Sequence, residues 1–259
     1  VAGVGWIDDR RGLSPGTRAV AHFAAAAWGL AWLGGFPHLD LGVGTIPLGI
    51  VGSLLGLVGI VWMINLYNFM DGIDGLAATE AIMTAGVGGA LLLIQGSAGT
   101  ATLSLILAAS AVGFLVWNWA PAKIFMGDVG SGFLGYVLAI LAVSTENDHS
   151  LPLLVWIILL SVFVVDATAT LLRRVRLGEK WHKPHCSHAY QRVTYAGFSH
   201  ASVTGVIAGI NALLGGIAWI CWRWPSFLLP GLFVSVSILG FLWYHCLKFP
   251  AKPSASGAQ

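Results

Sequence analysis

Two amides and two carboxylates recur three residues apart in Asn65-Leu66-Tyr67-Asn68-Phe69-Met70-Asp71-Gly72-Ile73-Asp74-Gly75, at the end of an apolar run. Hydrocarbon tolerates such groups where they pair or face water. If a helix continues through the row, the i, i+3 spacing stacks Asn65, Asn68 and Asp71 on one face, with Asp74 following after a glycine. Converging acidic oxygens near a membrane surface suit a hard divalent cation, Mg2+ with Mn2+ as the alternative ion. Magnesium in turn usually comes with phosphate. The plainer reading is that Asp71 and Asp74 cap the next helix. Capping accounts for one aspartate but not for two amides and two carboxylates together.

Three further clusters have chemistry-bearing residues. Asp8 and Asp9, followed by Arg10 and Arg11, precede the first apolar run. Adjacent carboxylates repel, so a cation or basic partner would stabilise them, although taken alone they read as a solvated loop. In the segment from Asn118 to Gly132, Gly127, Gly130 and Gly132 surround Asp128 and permit close backbone approach to a ligand. The helix start that follows would offer free N–H groups to phosphate. Phe125 can stack on a base and Lys123 supplies positive charge. The plain alternative is an interhelical loop with Phe125 as a membrane-border aromatic. The fourth cluster, Arg173 to Arg192, combines cationic residues with His182, His185, Cys186 and His188. It suits a diphosphate or anionic headgroups. The His/Cys spacing fits no standard zinc finger.

These residues need a frame, and composition supplies it. The chain is 57% hydrophobic and 9% charged, with mean hydropathy +0.81, outside the range of soluble domains. An all-α, polytopic transmembrane helix bundle of about eight spans is predicted, near 18–34, 47–68, 76–95, 101–120, 132–145, 151–172, 201–222 and 227–247. Residues 1–249 read as one integral-membrane domain and 250–259 as a disordered tail. Three cysteines without CxxC spacing argue against a disulfide framework. Val1 is not an initiator methionine and a polar motif opens the chain, so an N-terminally truncated sequence is expected.

Alternating the spans gathers Arg10, Arg11, Arg18, Lys123, Arg173, Arg174, Arg176, Lys180, Lys183, Arg192, Lys248 and Lys252 on one side and leaves Arg223 on the other. By the positive-inside rule the first side is cytoplasmic. The same threading puts Asp8, Asp9, Asp71, Asp74, Asp128 and Glu179 there, and Asp40, Glu146 and Asp148 opposite. Glu80 and Asp166 fall inside spans, where structural pairing is the expected role.

The four blocks, in this order on one face of a bundle, resemble the polyprenyl-phosphate N-acetylhexosamine-1-phosphate transferase family. The motifs are Asp8-Asp9, Asn65-x-x-Asn68-x-x-Asp71-Gly-Ile-Asp74-Gly, Phe125-Met-Gly-Asp128-x-Gly-Ser131 and His185-x-x-His188. The resemblance implies Mg2+-dependent transfer of a sugar 1-phosphate from a UDP-N-acetylhexosamine to undecaprenyl phosphate, with release of UMP, at the cytoplasmic face of a bacterial inner membrane. It implies Asp8, Asp9 and Asp128 as catalytic residues, with Asp128 and Asp9 toward the metal. Asn65, Asn68, Asp71, Asp74, Asn118, Lys123, Phe125, His185 and His188 would bind substrate, Phe125 by stacking the uracil. The histidine loop is similar to the branch that starts O-antigen or other surface polysaccharides. That branch carries arginine where Cys186 stands, so Lys183 or Arg192 compensates or activity is reduced. By comparison with the family, about three N-terminal helices are missing.

The partners expected are the two substrates and the lipid bilayer, with no nucleic acid; a homodimer is compatible with the sequence but not required by it. Two rival classes make different demands. An ion-binding transporter would place its acids near the bilayer midplane on broken helices. A CDP-alcohol phosphatidyltransferase would carry an arginine shortly after Asp-Gly, where this chain has Leu76-Ala77-Ala78.

Overall fold

A computed structural model describes residues 1–179 and 187–250. Among the described residues the chain forms eleven α-helices, a two-stranded hairpin and one 3-10 turn at Pro225–Phe227. A short α1 (Ala2–Arg11) leads into α2 (Pro15–Trp32), and the hairpin pairs β1 (His38–Asp40) antiparallel with β2 (Thr45–Pro47). The long helices follow: α3 (Gly49–Met70), α4 (Leu76–Gln95), α5 (Ala98–Asn118) and α6 (Gly127–Asn147). The chain continues through α7 (Leu153–Leu159), α8 (Ser161–Arg176), α9 (Ala189–Tyr195), α10 (His200–Arg223) and α11 (Leu228–Cys246).

Among the described residues six helical segments are long and apolar enough to cross a membrane, and a seventh span results if the bent pair α7 and α8 is one crossing. The eight expected spans reduce to these because α2 falls short on composition. Its first turn, Pro15, Gly16, Thr17 and Arg18, and His22 one turn later dilute its apolar character. Its length is not the obstacle. Arg18 at its start lies 3.8 Å from Asp128 at the start of α6, and Asn147 at the end of α6 donates to the carbonyls of Leu33 and Gly35 just beyond its end. The two helices therefore run side by side over the whole depth of the bundle.

The other correction concerns the sixth predicted span, 151–172, which breaks at Leu160 with a bend of 79°. No proline or glycine marks the break. Beyond it α8 carries Asp166, Arg173, Arg174 and Arg176, whose polar atoms are better satisfied by the neighbouring α9 and by the bundle end than by hydrocarbon. The core sits around α4, whose first turns are fully buried against α5, α7 and α10. Within it Glu80 accepts a hydrogen bond from Asn211 of α10 at 2.5 Å, the structural pairing expected of an intramembrane acid. Alternation of the long helices brings the α1–α2 junction, the α3–α4 and α5–α6 turns and the starts of α9 and α10 to one end.

Candidate functional site

The row at the end of α3 does not act as one stripe. Asn65 donates back to the Val61 carbonyl of its own helix at 2.7 Å and is not among the residues lining the cleft around Asp128. Asn68 reaches across to α6, where its amide nitrogen donates to Asp128 Oδ1 at 2.5 Å and to Ser131 Oγ at 3.1 Å. The helix ends at Asp71 with φ −84° and ψ 60°, so Asp71 leaves the helical register and turns into the cleft. Asp74 is held in the following turn. Its Oδ2 accepts from the Ala122 amide at 3.1 Å, its Oδ1 lies 3.3 Å from His200 Nδ1, and its carbonyl accepts from Thr204 at 2.9 Å. His200 and Thr204 sit one turn apart at the start of α10 and fasten this loop. Sequence reading passed over them, although an i, i+4 polar pair after the Ser199 cap was a readable signal.

Helix α1 brings its acids to the start of α6. Gly5 makes this approach feasible, since a Cβ there would lie 2.5 Å from the Asp128 carbonyl. Asp9 then accepts from the amides of Asp128 at 3.1 Å and Val129 at 3.4 Å, capping α6 from outside. Those two N–H groups, expected to be free for phosphate, are thus already occupied. Gly127 has φ 62°, and a side chain there would press on the Asp9 carboxylate. Asp8 accepts from the Leu13 amide at 2.5 Å and from Arg18 at 2.9 Å. Burial pushes its carboxyl up, but the Leu13 amide, a hydrogen bond shared with Asp128 and the Arg18 guanidinium together hold it below the ordinary carboxylate range.

The α5–α6 loop is held from below. Asn118 is buried, accepts from the Gly75 amide at 3.0 Å and donates to the Ile124 carbonyl at 2.8 Å. Both ends of its amide are used, so here it shapes the loop that presents Phe125. Phe125 is 77% exposed at the rim of the cleft. Lys123 turns away, with its ammonium 5.3 Å above the Trp117 ring.

On the far side, Asp166 of α8 caps α9 by accepting from the Ala189 amide at 2.9 Å and the Tyr190 amide at 3.4 Å. His188 is buried there, its Nδ1 3.4 Å from Asp166 Oδ1. Tyr190 donates to the Phe69 carbonyl at 2.9 Å, tying α9 to the end of α3. His188 is therefore one layer behind the cleft rather than on its wall. His185, Cys186, His182 and Lys183 lie outside the described residues.

A cleft of about 270 Å³ results, lined by Asn68, Asp71, Asp74, Asn118, Phe125 and Asp128 together with the intervening loop backbone. Its electrostatics favour a cation. Burial, then the charges of Asp128 and Asp9, raise the Asp71 carboxyl from 3.8 to about 7. Carboxyls crowded in this way are a donor set a divalent ion would stabilise. Among the described residues no group of three or more His, Cys, Asp or Glu is placed to hold a metal on its own.

Comparison with known proteins agrees with this geometry. Residues 1–146 match the family model described as glycosyl transferase family 4. A phospho-N-acetylmuramoyl-pentapeptide-transferase from Synechococcus sp. (strain JA-2-3B'a(2-13)) is 33% identical over 86% of this chain and 69% of its own length. A probable undecaprenyl-phosphate N-acetylglucosaminyl 1-phosphate transferase from Bacillus subtilis (strain 168) is 36% identical over 54% of this chain and 41% of its own. A decaprenyl-phosphate N-acetylglucosaminephosphotransferase from Mycobacterium leprae (strain TN) is 35% identical over 80% and 58%. The matches thus span from about two fifths to about two thirds of these relatives.

Proposed function

Because the chain belongs to glycosyl transferase family 4, we propose that it transfers an N-acetylhexosamine 1-phosphate from a UDP-sugar to a polyprenyl phosphate, releasing UMP. Undecaprenyl phosphate is the expected acceptor and the cytoplasmic face of a bacterial inner membrane the expected location. One observation carries this reading. Asn68 of α3 orients Asp128 of α6 in a cleft that also presents the buried carboxyl of Asp71 and the exposed ring of Phe125.

The reaction exchanges one phosphoanhydride bond for another. An oxygen of the lipid phosphate attacks the phosphorus attached to the sugar, and the bond to the uridine-bearing phosphate breaks, so that UMP leaves with the bridging oxygen. The difficulty is bringing anions together, because a phosphate monoester with a second pKa near about 6 is already mostly dianionic at neutral pH. A strong general base is therefore unnecessary. In this reading Asp128 and Asp71 would hold Mg2+, which when bound would offset the charge of the diphosphate. Asp9, the second ligand expected from sequence, fixes the start of α6 and adds negative charge beside the site. Asp8 and its partner Arg18 border the same acids, and in this reading Arg18 would receive the lipid phosphate. Phe125 offers its face to uracil, while Asp74 and Asn118 hold the loops that carry the other groups.

Acids gathered at one end of the bundle also argue against the transporter reading, which needs them at mid-depth. Within the family we favour a UDP-N-acetylhexosamine such as UDP-GlcNAc, UDP-GalNAc or UDP-FucNAc over the muramoyl-pentapeptide donor, because the histidine loop lacks a run of consecutive histidines. The test is UMP release by detergent-solubilised protein with undecaprenyl phosphate, Mg2+ and each donor in turn, with and without EDTA. Lipid-dependent, EDTA-sensitive release from one N-acetylhexosamine donor is expected. Release only from the muramoyl-pentapeptide donor would overturn the substrate assignment, and no release from any donor by folded protein would overturn the activity.

A further inference from the structure

The three arginines at the end of α8 divide between two faces. Arg174 is buried and paired with Glu179 at 2.8 Å. Arg173 and Arg176, three residues apart, share the opposite stripe with Ala169, Leu172 and Leu177. This stripe forms one wall of a groove of about 410 Å³, with Trp243 and Leu247 of α11 on the other wall. Among the described residues neither Arg173 nor Arg176 forms an ion pair. Leu172 and Leu177 are each more than half exposed, and α11 is the least buried of the spanning segments. The groove therefore faces the bilayer.

We propose that this α8–α11 groove is a binding site for an anionic glycerophospholipid, with an acyl chain along the apolar walls and the phosphate held by Arg173 and Arg176. The two features are complementary to one molecule. A soluble anion would use the guanidiniums and leave the groove empty, and a neutral lipid would use the groove and leave two cations unpartnered at the membrane border. Arginines at this depth sit where lipid phosphates lie, and Trp243, fixed by donating to Thr170 at 3.1 Å, is an aromatic of the kind found at that level. A polyprenyl phosphate shares the same chemistry, and among the described residues none lines both this groove and the cleft around Asp128. The occupant assigned here is a structural or regulatory lipid distinct from the acceptor, a choice the displacement experiment below decides. The position suits such a role, because Arg192, four residues after the α9 cap His188, donates to the carbonyls of Leu247 and Phe249 at the same end of α11.

The test is native mass spectrometry of the delipidated protein given equimolar phosphatidylglycerol and phosphatidylcholine, without sugar donor. The wild type is expected to retain phosphatidylglycerol at least fivefold over phosphatidylcholine. Arg173→Gln with Arg176→Gln should remove that preference, and Ala169→Trp, which keeps both charges but fills the groove, should lower retention of both lipids. All three positions lie on a bilayer-facing stripe, and size-exclusion profiles check that each variant folds. An undiminished preference in the arginine variant would overturn the site, and so would undiminished retention in Ala169→Trp. Stoichiometric displacement of phosphatidylglycerol by undecaprenyl phosphate would overturn the choice of occupant. Lipid retention is read without turnover, so it stands or falls apart from the transferase assignment.

Discussion

Replacing Asn68 with alanine should weaken metal use before it weakens the fold. Asn68 contributes a 2.5 Å bond to Asp128 Oδ1 and a 3.1 Å bond to Ser131 Oγ. A hydrogen bond to a charged acceptor contributes about 1.5–3 kcal/mol, and the lower end applies because the Asp128 side chain is one-third exposed. Since about 1.4 kcal/mol is tenfold in an equilibrium constant, loss of this bond should raise the Mg2+ concentration for half-maximal activity about tenfold. Groups that orient metal ligands typically cost about 10- to 100-fold when removed, which agrees. Ser131 keeps its own bond to the Gly127 carbonyl at 2.8 Å, so the start of α6 should hold. The assay is UMP release across a Mg2+ titration at saturating substrates, with most of the wild-type rate returning at high Mg2+. An unchanged Mg2+ dependence with a lowered maximal rate would instead assign Asn68 to the substrate and overturn its role in orienting Asp128.

Other substitutions separate the remaining parts of the site. Phe125→Ala should raise the KM for the UDP-sugar about 5- to 100-fold with kcat nearly unchanged, since stacking on a base contributes about 1–3 kcal/mol. Being 77% exposed, Phe125 should leave thermal stability unaffected. Gly5→Ala should destabilise by about 1–3 kcal/mol, the usual cost of overpacking, because its Cβ would meet the Asp128 carbonyl; thermal unfolding in detergent reads this, and activity should fall with it. The raised Asp71 carboxyl makes stability depend on pH in the metal-free protein. Its folded value of about 7 lies above the ordinary 3.8, so the stabilisation from its proton is full below about pH 4 and is lost as pH rises to about 7. EDTA-treated protein should therefore unfold at lower temperature at pH 8 than at pH 5.5, and Mg2+ should restore more stability at the higher pH. Equal melting temperatures at both pH values without metal would count against a buried, cation-seeking carboxyl.

The parts of the site legible in the sequence were those written into single segments. The Asn/Asp row, Asp8-Asp9 and the glycine-flanked Asp128 stood out because polar groups are rare in apolar runs, and alternation of the spans was enough to place them at one end. What each side chain does there was not legible, because it depends on partners far along the chain. Asn65 turns back on its own helix while Asn68 crosses to α6, although both occupy the same kind of position. Asp9 is spent on the amides of α6 rather than left free, a result of the packing of α1 that no local pattern encodes. Asp71 enters the cleft because α3 stops there, and the fixing of Asp74 by His200 joins residues 126 positions apart. The break at Leu160 was hidden for a similar reason. Its cause lies in where the polar face of α8 must go, not in a helix-breaking residue.

The proposed reaction moves a phosphate together with the sugar in the cleft around Asp128. The most direct measurement uses a UDP-N-acetylhexosamine labelled in the phosphate next to the sugar, incubated with undecaprenyl phosphate, Mg2+ and either wild-type protein or Asp128→Asn. The label is expected to pass into the lipid product and unlabelled UMP to be released by the wild type, with at least a hundredfold less transfer by the folded variant. Label recovered in UDP, or full transfer by Asp128→Asn, would contradict it.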